Sequence, residues 1–185
     1  MAEFFADKEF KNINSLEKGE YDNCRFIQCN FEGAHLATIA FTDCKFEDCN
    51  LTNAQLNETS LHDVAFTNCK LVGIHFFKYG GFTFSVSFDH CQLNLASFYG
   101  MNLANTKFSD CNLQEVDFTE ANLSGLTLHN CDLGRTVFND TNLEKADLRT
   151  AYNFSIDPEH NQLKKAKFSL QNVAGLLQKY GVVLE

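Results

Sequence analysis

Tryptophan is absent from this chain and proline occurs once, at Pro158. Proline cannot donate to a β-ladder, so nothing ahead of Pro158 forbids an uninterrupted one. No run of about 18 apolar residues exists, which excludes a membrane-spanning helix. The opening Met1-Ala2-Glu3-Phe4-Phe5-Ala6-Asp7-Lys8 lacks the basic-then-apolar layout of a secretory signal, and the expected location is the cytoplasm. Basic residues are few: 15 Lys and Arg stand against 24 Asp and Glu, a formal net charge of −9. Phosphate backbones and anionic lipid surfaces demand the opposite sign. The expected partner is therefore a protein, with no direct nucleic acid or membrane contact. Patterns such as HExxH, GxGxxG, Walker and GxSxG are missing, as is any CxxC pair. Neither an enzyme nor a cofactor nor a metal is expected.

What the chain has is a period of five. A large apolar residue recurs at Leu16, Tyr21, Phe26, Phe31, Leu36, Phe41 and Phe46 and continues to Phe76. The phase then slips by two residues and resumes from Phe88 to Leu148. Two positions before each large residue sits a mostly small one, and the positions between are mainly Asn, Asp, Thr, Ser, Glu and Lys. A helix would smear this period around all its faces, and a long strand would flip the large residue at every repeat. A coil with four sides of five residues keeps every large residue inside. That geometry predicts a second period of 20, seen in Phe98, Phe118 and Phe138 and again in Leu103, Leu123 and Leu143. Like residues then stack along one wall at roughly 4.8 Å, the inter-strand spacing.

The units Ala121-Asn122-Leu123-Ser124-Gly125, Ala146-Asp147-Leu148-Arg149-Thr150 and Cys111-Asn112-Leu113-Gln114-Glu115 resemble A(D/N)LXX, the signature of pentapeptide-repeat proteins. The resemblance implies an all-β fold: a right-handed quadrilateral parallel β-helix, with the Asn or Asp before the large residue bonding the turn backbone. The expected organisation is an N-terminal cap at 1–15, a β-helix at 16–152 with the slip at 77–87, and a C-terminal cap or dimerisation segment at 153–185.

Eight cysteines invite a search for disulfides or zinc. Cys24, Cys29, Cys44, Cys49, Cys69, Cys91, Cys111 and Cys131 all occupy the small inward position, which favours buried, reduced side chains acting as small hydrophobes. His90-Cys91 and His129-Asn130-Cys131 suggest a nucleophile with its base, yet the repeat points the Cys in and the His out.

The surface carries more. Between Asp43 and Glu144, 13 Asp and Glu stand against 5 Lys and Arg. Asp43, Asp48, Glu58, Asp63, Asp110, Glu115, Glu120 and Asp140 share one repeat position, two after the large residue. They form a candidate acidic partner-binding face, read either as a solubilising skin or as a surface that a DNA-binding protein accepts in place of DNA. The slip contains Gly80-Gly81, which supplies backbone freedom for a bulge. Phe77, Tyr79 and Phe82 are candidate contacts there. Beyond Ala151, Ser169 reads as an N-cap. Leu170, Val173, Leu176, Leu177 and Tyr180 form a stripe at helical spacing, Gly181 reads as a stop, and Val182-Val183-Leu184 reads as a short strand. The expected short C-terminal α-helix caps the end or docks a second copy as a homodimer. Phe4, Phe5, Phe10 and Ile13 are expected to cover the opposite end.

The layout is similar to the Qnr and McbG type of pentapeptide-repeat protein, which also ends in a segment like Ser155-Ile156-Asp157-Pro158-Glu159-His160-Asn161, a short helix and a tail like Tyr180-Gly181-Val182-Val183. That resemblance implies a rod-shaped homodimer that imitates DNA and acts on gyrase and topoisomerase IV. The alternative is a structural scaffold for an unrelated protein.

Overall fold

The computed structural model describes residues 3–78 and 84–183, Lys78 by its backbone alone. Tyr79 and Phe82 lie outside the described residues. The strands are short, two to four residues each, because every fifth residue the backbone must turn a corner. Two parallel sheets build up coil upon coil. One holds β1 (Glu3–Ala6), β3 (Gly19–Asp22), β5 (Ala40–Thr42) and β7 (Ser60–His62). The other runs through β2 (Glu9–Lys11), β4 (Arg25–Ile27), β6 (Lys45–Glu47), β8 (Val64–Thr67), β9 (Val86–Asp89), β10 (Lys107–Ser109) and β11 (Leu128–His129). The remaining two walls are held by single bridges such as Asn112↔Asp132 and Ser97↔Asp117.

Register keeps like on like: Phe26 pairs with Phe46, Phe46 with Phe66, Phe66 with Phe88 and Phe88 with Phe108. The rings stack 4.5 Å apart for Phe26–Phe46 and 4.9 Å for Phe46–Phe66. A second column runs Phe76, Phe98, Phe118, Phe138. Parallel in-register strands make identical neighbours adjacent, and offset-stacked rings contribute beyond the area they bury. The slip costs one coil two extra residues: Val64 pairs with Val86 across it, and the ladder then resumes in phase.

Two side-chain devices hold the corners. The residue two after the large one adopts a left-handed backbone, as at Asp43 (φ 53), Asn68 (φ 54), Glu115 (φ 59) and Gly125 (φ 73). Asn, Asp and Gly tolerate that conformation best, which explains their abundance there. The Asn or Asp before the large residue accepts the backbone N–H two positions on: Asn112 Oδ1 from Gln114 at 3.0 Å, Asp117 from Thr119 at 2.9 Å and Asn142 from Glu144 at 3.0 Å. The resemblance implied this bond.

All eight cysteines are buried and free. The Cys49 and Cys69 sulfurs each lie 3.3 Å from the carbonyl of the large residue 23 positions back, Phe26 and Phe46. Thr136 and Thr141 donate to the same kind of acceptor, Leu113 and Phe118, at 2.7 and 2.8 Å. The inward small site thus accommodates a compact donor. Burial holds the Cys44 thiol up at about 12, so it is protonated and unreactive at neutral pH.

Both ends differ from expectation. Parallel pairing begins at Glu3 and ends at Lys167, so the ladder extends past both predicted limits. Phe5 and Phe10 pair in register with Tyr21 and Phe26, forming a shortened first coil 16 residues from the next, not a separate cap. Phe5, Phe10 and Ile13 pack against the core, while Phe4 points outward. At the other end the predicted α-helix is replaced by two 3-10 turns, Val173–Leu176 and Gln178–Tyr180. The cause is competition from the last coil. Gly175 lies so close to Phe154 that a Cβ would stand 2.5 Å from its ring. The Gly175 carbonyl, which an α-helix would use internally, accepts the N–H of Ile156 at 3.0 Å. Asn172 donates to the carbonyls of Leu148 and Ala151, both at 2.8 Å. Ser169 does cap the turn, accepting the Asn172 N–H at 3.2 Å. Gly181 stops it with φ 60. Val182 and Val183 are exposed and form no strand.

Candidate functional site

The solenoid buries its apolar residues and presents the rest, so every candidate site lies on the four walls or at the corners between them. The eight predicted carboxylates all sit at left-handed corners, but they do not share one face. Backbone pairing puts Asp43 beside Asp63 on one corner and Glu120 beside Asp140 on another. Asp48 and Asp110 stand on a third, three coils apart with Asn68 and His90 between them. Glu115 stands on a fourth, beside Arg135, and Glu58 lies on the corner of Glu120, beside Thr38. The charge is therefore spread around the rod.

Several of these groups have local partners. Arg135 pairs with Glu115, and Asn68 donates to Asp48. Asn130 Nδ2 donates to Asp110 Oδ1 at 2.6 Å and Ser109 Oγ to its Oδ2 at 2.8 Å. Those two donors hold the Asp110 carboxyl below the usual range. Ser85 Oγ donates to Asp63 at 2.5 Å. Asp89, His90 and Asp110 place three ligand-type atoms within 4.8 Å of one another. His90 is already 3.1 Å from Asp89, and no metal is assigned to this trio, of which His90 is exposed and the two carboxylates are half-buried. His90 points to solvent and Cys91 into the core, so the two stand back to back and cannot act as a pair.

Of the slip residues, Phe77 is 41% exposed. Its ring meets His75 at 5.5 Å and Tyr99 at 6.4 Å, both edge-on. Tyr99, absent from the sequence-based site, is 44% exposed and donates its hydroxyl to Glu120 Oε1 at 2.8 Å. The predicted dimer stripe divides. Leu176 packs against the core, Val173 and Leu177 are half-buried, and Leu170 and Tyr180 face outward. Lys179 ties the segment down, 2.6 Å from Asp157 and 2.7 Å from Glu159.

A family model described as a pentapeptide repeat region matches residues 20–79 and 83–173. The chain belongs to the pentapeptide-repeat family. Among curated proteins no sequence match was found. Of solved structures, HetL from the cyanobacterium Nostoc sp. strain PCC 7120, a pentapeptide-repeat protein involved in heterocyst differentiation regulation, superposes with a TM-score of 0.71 at 15% identity. The match covers 89% of this chain and 85% of HetL. A trypsin-treated form of QnrB1, a plasmid-mediated fluoroquinolone resistance protein, matches with a TM-score of 0.54 at 18% identity, covering 99% and 100%. At these identities the likeness is one of fold: this pentapeptide-repeat protein is a repeat scaffold. Among its described residues no helix is long and apolar enough to cross a membrane.

Proposed function

We propose that this pentapeptide-repeat protein is a non-catalytic binding protein of the cytoplasm that offers its acidic middle to a type II topoisomerase in place of DNA. The supporting observation is the excess of carboxylates between Asp43 and Glu144, 13 Asp and Glu to 5 Lys and Arg, eight of them held at left-handed corners, with Asp43/Asp63 and Glu120/Asp140 one coil apart at about 4.8 Å. A DNA-binding cleft is built for closely spaced negative charge. The fold it shares with QnrB1, a fluoroquinolone resistance protein, is consistent with this use. A gyrase supercoiling assay with ciprofloxacin tests it. Micromolar protein is expected to restore or to inhibit supercoiling, and an assay unchanged by its addition would refute the reading.

The same reading includes a homodimer through the C-terminal end, where Leu170, Tyr180, Val182 and Val183 remain exposed. Light scattering should give twice the chain mass for the wild type and a single chain for Leu170→Asp with Val183→Asp. A monomeric wild type removes the dimer.

One observation favours the alternative, a scaffold for an unrelated protein. The exposed aromatic wall around Tyr99 has no counterpart in a surface that merely imitates phosphates.

A further inference from the structure

The left-handed corners are polar almost throughout. Their described non-glycine residues are Asp, Asn, Glu, Gln, Thr, His, Lys and Arg, with one exception, Leu95 (φ 61). A left-handed backbone costs a residue with a Cβ roughly 1–2 kcal/mol, and its stacked neighbour one coil earlier is the unstrained Gly73 (φ 70). Leu95 also leaves 55% of its surface in water. The position therefore carries two unfavourable features that a glycine or asparagine would avoid. An observed departure of this kind, in a chain that otherwise obeys its repeat, points to a use for the side chain.

Its surroundings show what kind of use. Tyr99 follows in the same coil, with the buried Ser97 at the position between it and Leu95. One coil earlier, Phe77 and His75 continue the apolar surface through the edge-on ring contacts described above. On the side of the later coils the wall turns acidic. Asp117 stacks on Ser97, Glu120 holds the Tyr99 hydroxyl, and Asp140 follows one coil on. Among the described residues none of these three carboxylates pairs with a cation, and the nearby Arg135 is taken by Glu115. Lys78 closes the 3-10 turn Phe76–Lys78 in the preceding coil, a single basic residue in the sequence against these three carboxylates. Hydrogen bonds fix the acidic groups in place: Asp117 accepts from Thr119 at 2.9 Å and Ser97 at 3.3 Å.

We propose that this wall is a docking surface for a basic protein segment carrying an apolar anchor residue. The anchor covers Leu95 and Tyr99, and flanking Arg or Lys side chains reach Asp117, Glu120 and Asp140. Anchors packed in the middle of a contact, with charges at its rim, are the usual division of labour in protein recognition. An anionic lipid or a nucleic acid is repelled by the same carboxylates. The proposal holds for a topoisomerase and for any other protein partner alike.

A fluorescein-labelled dodecapeptide of alternating Arg and Leu serves as the probe, read by fluorescence anisotropy on the full chain. Two control peptides carry Ser in place of Leu, or Glu in place of Arg. Binding of the Arg/Leu peptide is expected to weaken about tenfold or more in Leu95→Gly with Tyr99→Ser. It should be unchanged in Asp43→Asn with Asp48→Asn, on other corners. Leu95→Gly alone should fold at least as stably as wild type, since glycine suits that backbone, and it keeps the test readable if the double variant unfolds. Equal binding by the Arg/Ser peptide, or a Leu95→Gly and Tyr99→Ser variant within about twofold of wild type, would show charge attraction alone and overturn the proposal. A chain inert toward gyrase that still discriminates these peptides loses the topoisomerase and keeps the wall; the opposite pair of results loses only the wall.

Discussion

Phe98→Ala is expected to destabilise the protein by about 3–5 kcal/mol, the range for emptying a buried aromatic site. Phe98 has no solvent exposure. It stacks on Phe76 at 4.6 Å and on Phe118 at 5.4 Å, and it meets Phe84, Phe88 and Phe108 edge-on at 5.8–6.4 Å. Its neighbours belong to a hydrogen-bonded ladder and cannot collapse inward, so the cavity persists. Because each coil touches only adjacent coils, the weakness falls in the middle of a one-dimensional array. Urea denaturation should show a lower midpoint together with a broadened or divided transition. A loss below about 1 kcal/mol would mean that the column is not the source of stability assigned to it.

Leu123→Asp should cost more than about 4 kcal/mol at neutral pH, because it places an unpaired carboxylate in an apolar column. Leu123 is fully buried, with Leu103 and Leu143 above and below it in the ladder. The sign of the pH dependence follows. Burial without a partner raises the folded-state pKa, so the pH-dependent penalty is absent below the ordinary carboxyl range, grows as the pH rises from there and is complete only above the raised value. Measured against wild type at each pH, the deficit should be smaller at pH 4 than at pH 7. The outward neighbour offers a control: Ser124→Asp should stay within about 0.5 kcal/mol of wild type. Equal costs at the two positions would contradict the inward and outward assignment.

The inside of this protein was legible because a period of five, repeated at 20, leaves one arrangement that buries every Leu and Phe. The inward cysteines and the two-residue slip at 77–87 followed from the same count. The corners were readable only in part. Gly33, Gly73, Gly100 and Gly125 share a position with Asn23, Asn53, Asp43 and Asp48, a mixture that marks a left-handed backbone. The acids alone at that position record neither the turn nor their distribution over four corners. The first coil was missed because its offset is 16, which breaks the period although the strands still pair. The C-terminal stripe has helical spacing, but nothing in its sequence records that Gly175 and Asn172 are bound by the preceding coil. Leu95 and Tyr99 escaped for a related reason: a lone apolar residue at an outward position gains meaning only beside Phe77, Glu120 and Asp117.

Because the register passes unbroken from coil to coil, the molecule is modular in length. Removing residues 103–122, or repeating them, would bring Asn102 next to Leu123 or Asn122 next to a second Leu103, the same kind of junction that exists now. Every column of phenylalanine, leucine and cysteine would stay aligned across the join. Even the 22-residue coil returns to phase. A family built this way can lengthen or shorten its members by whole turns, setting the distance between the two ends like marks on a ruler while leaving each wall's chemistry untouched.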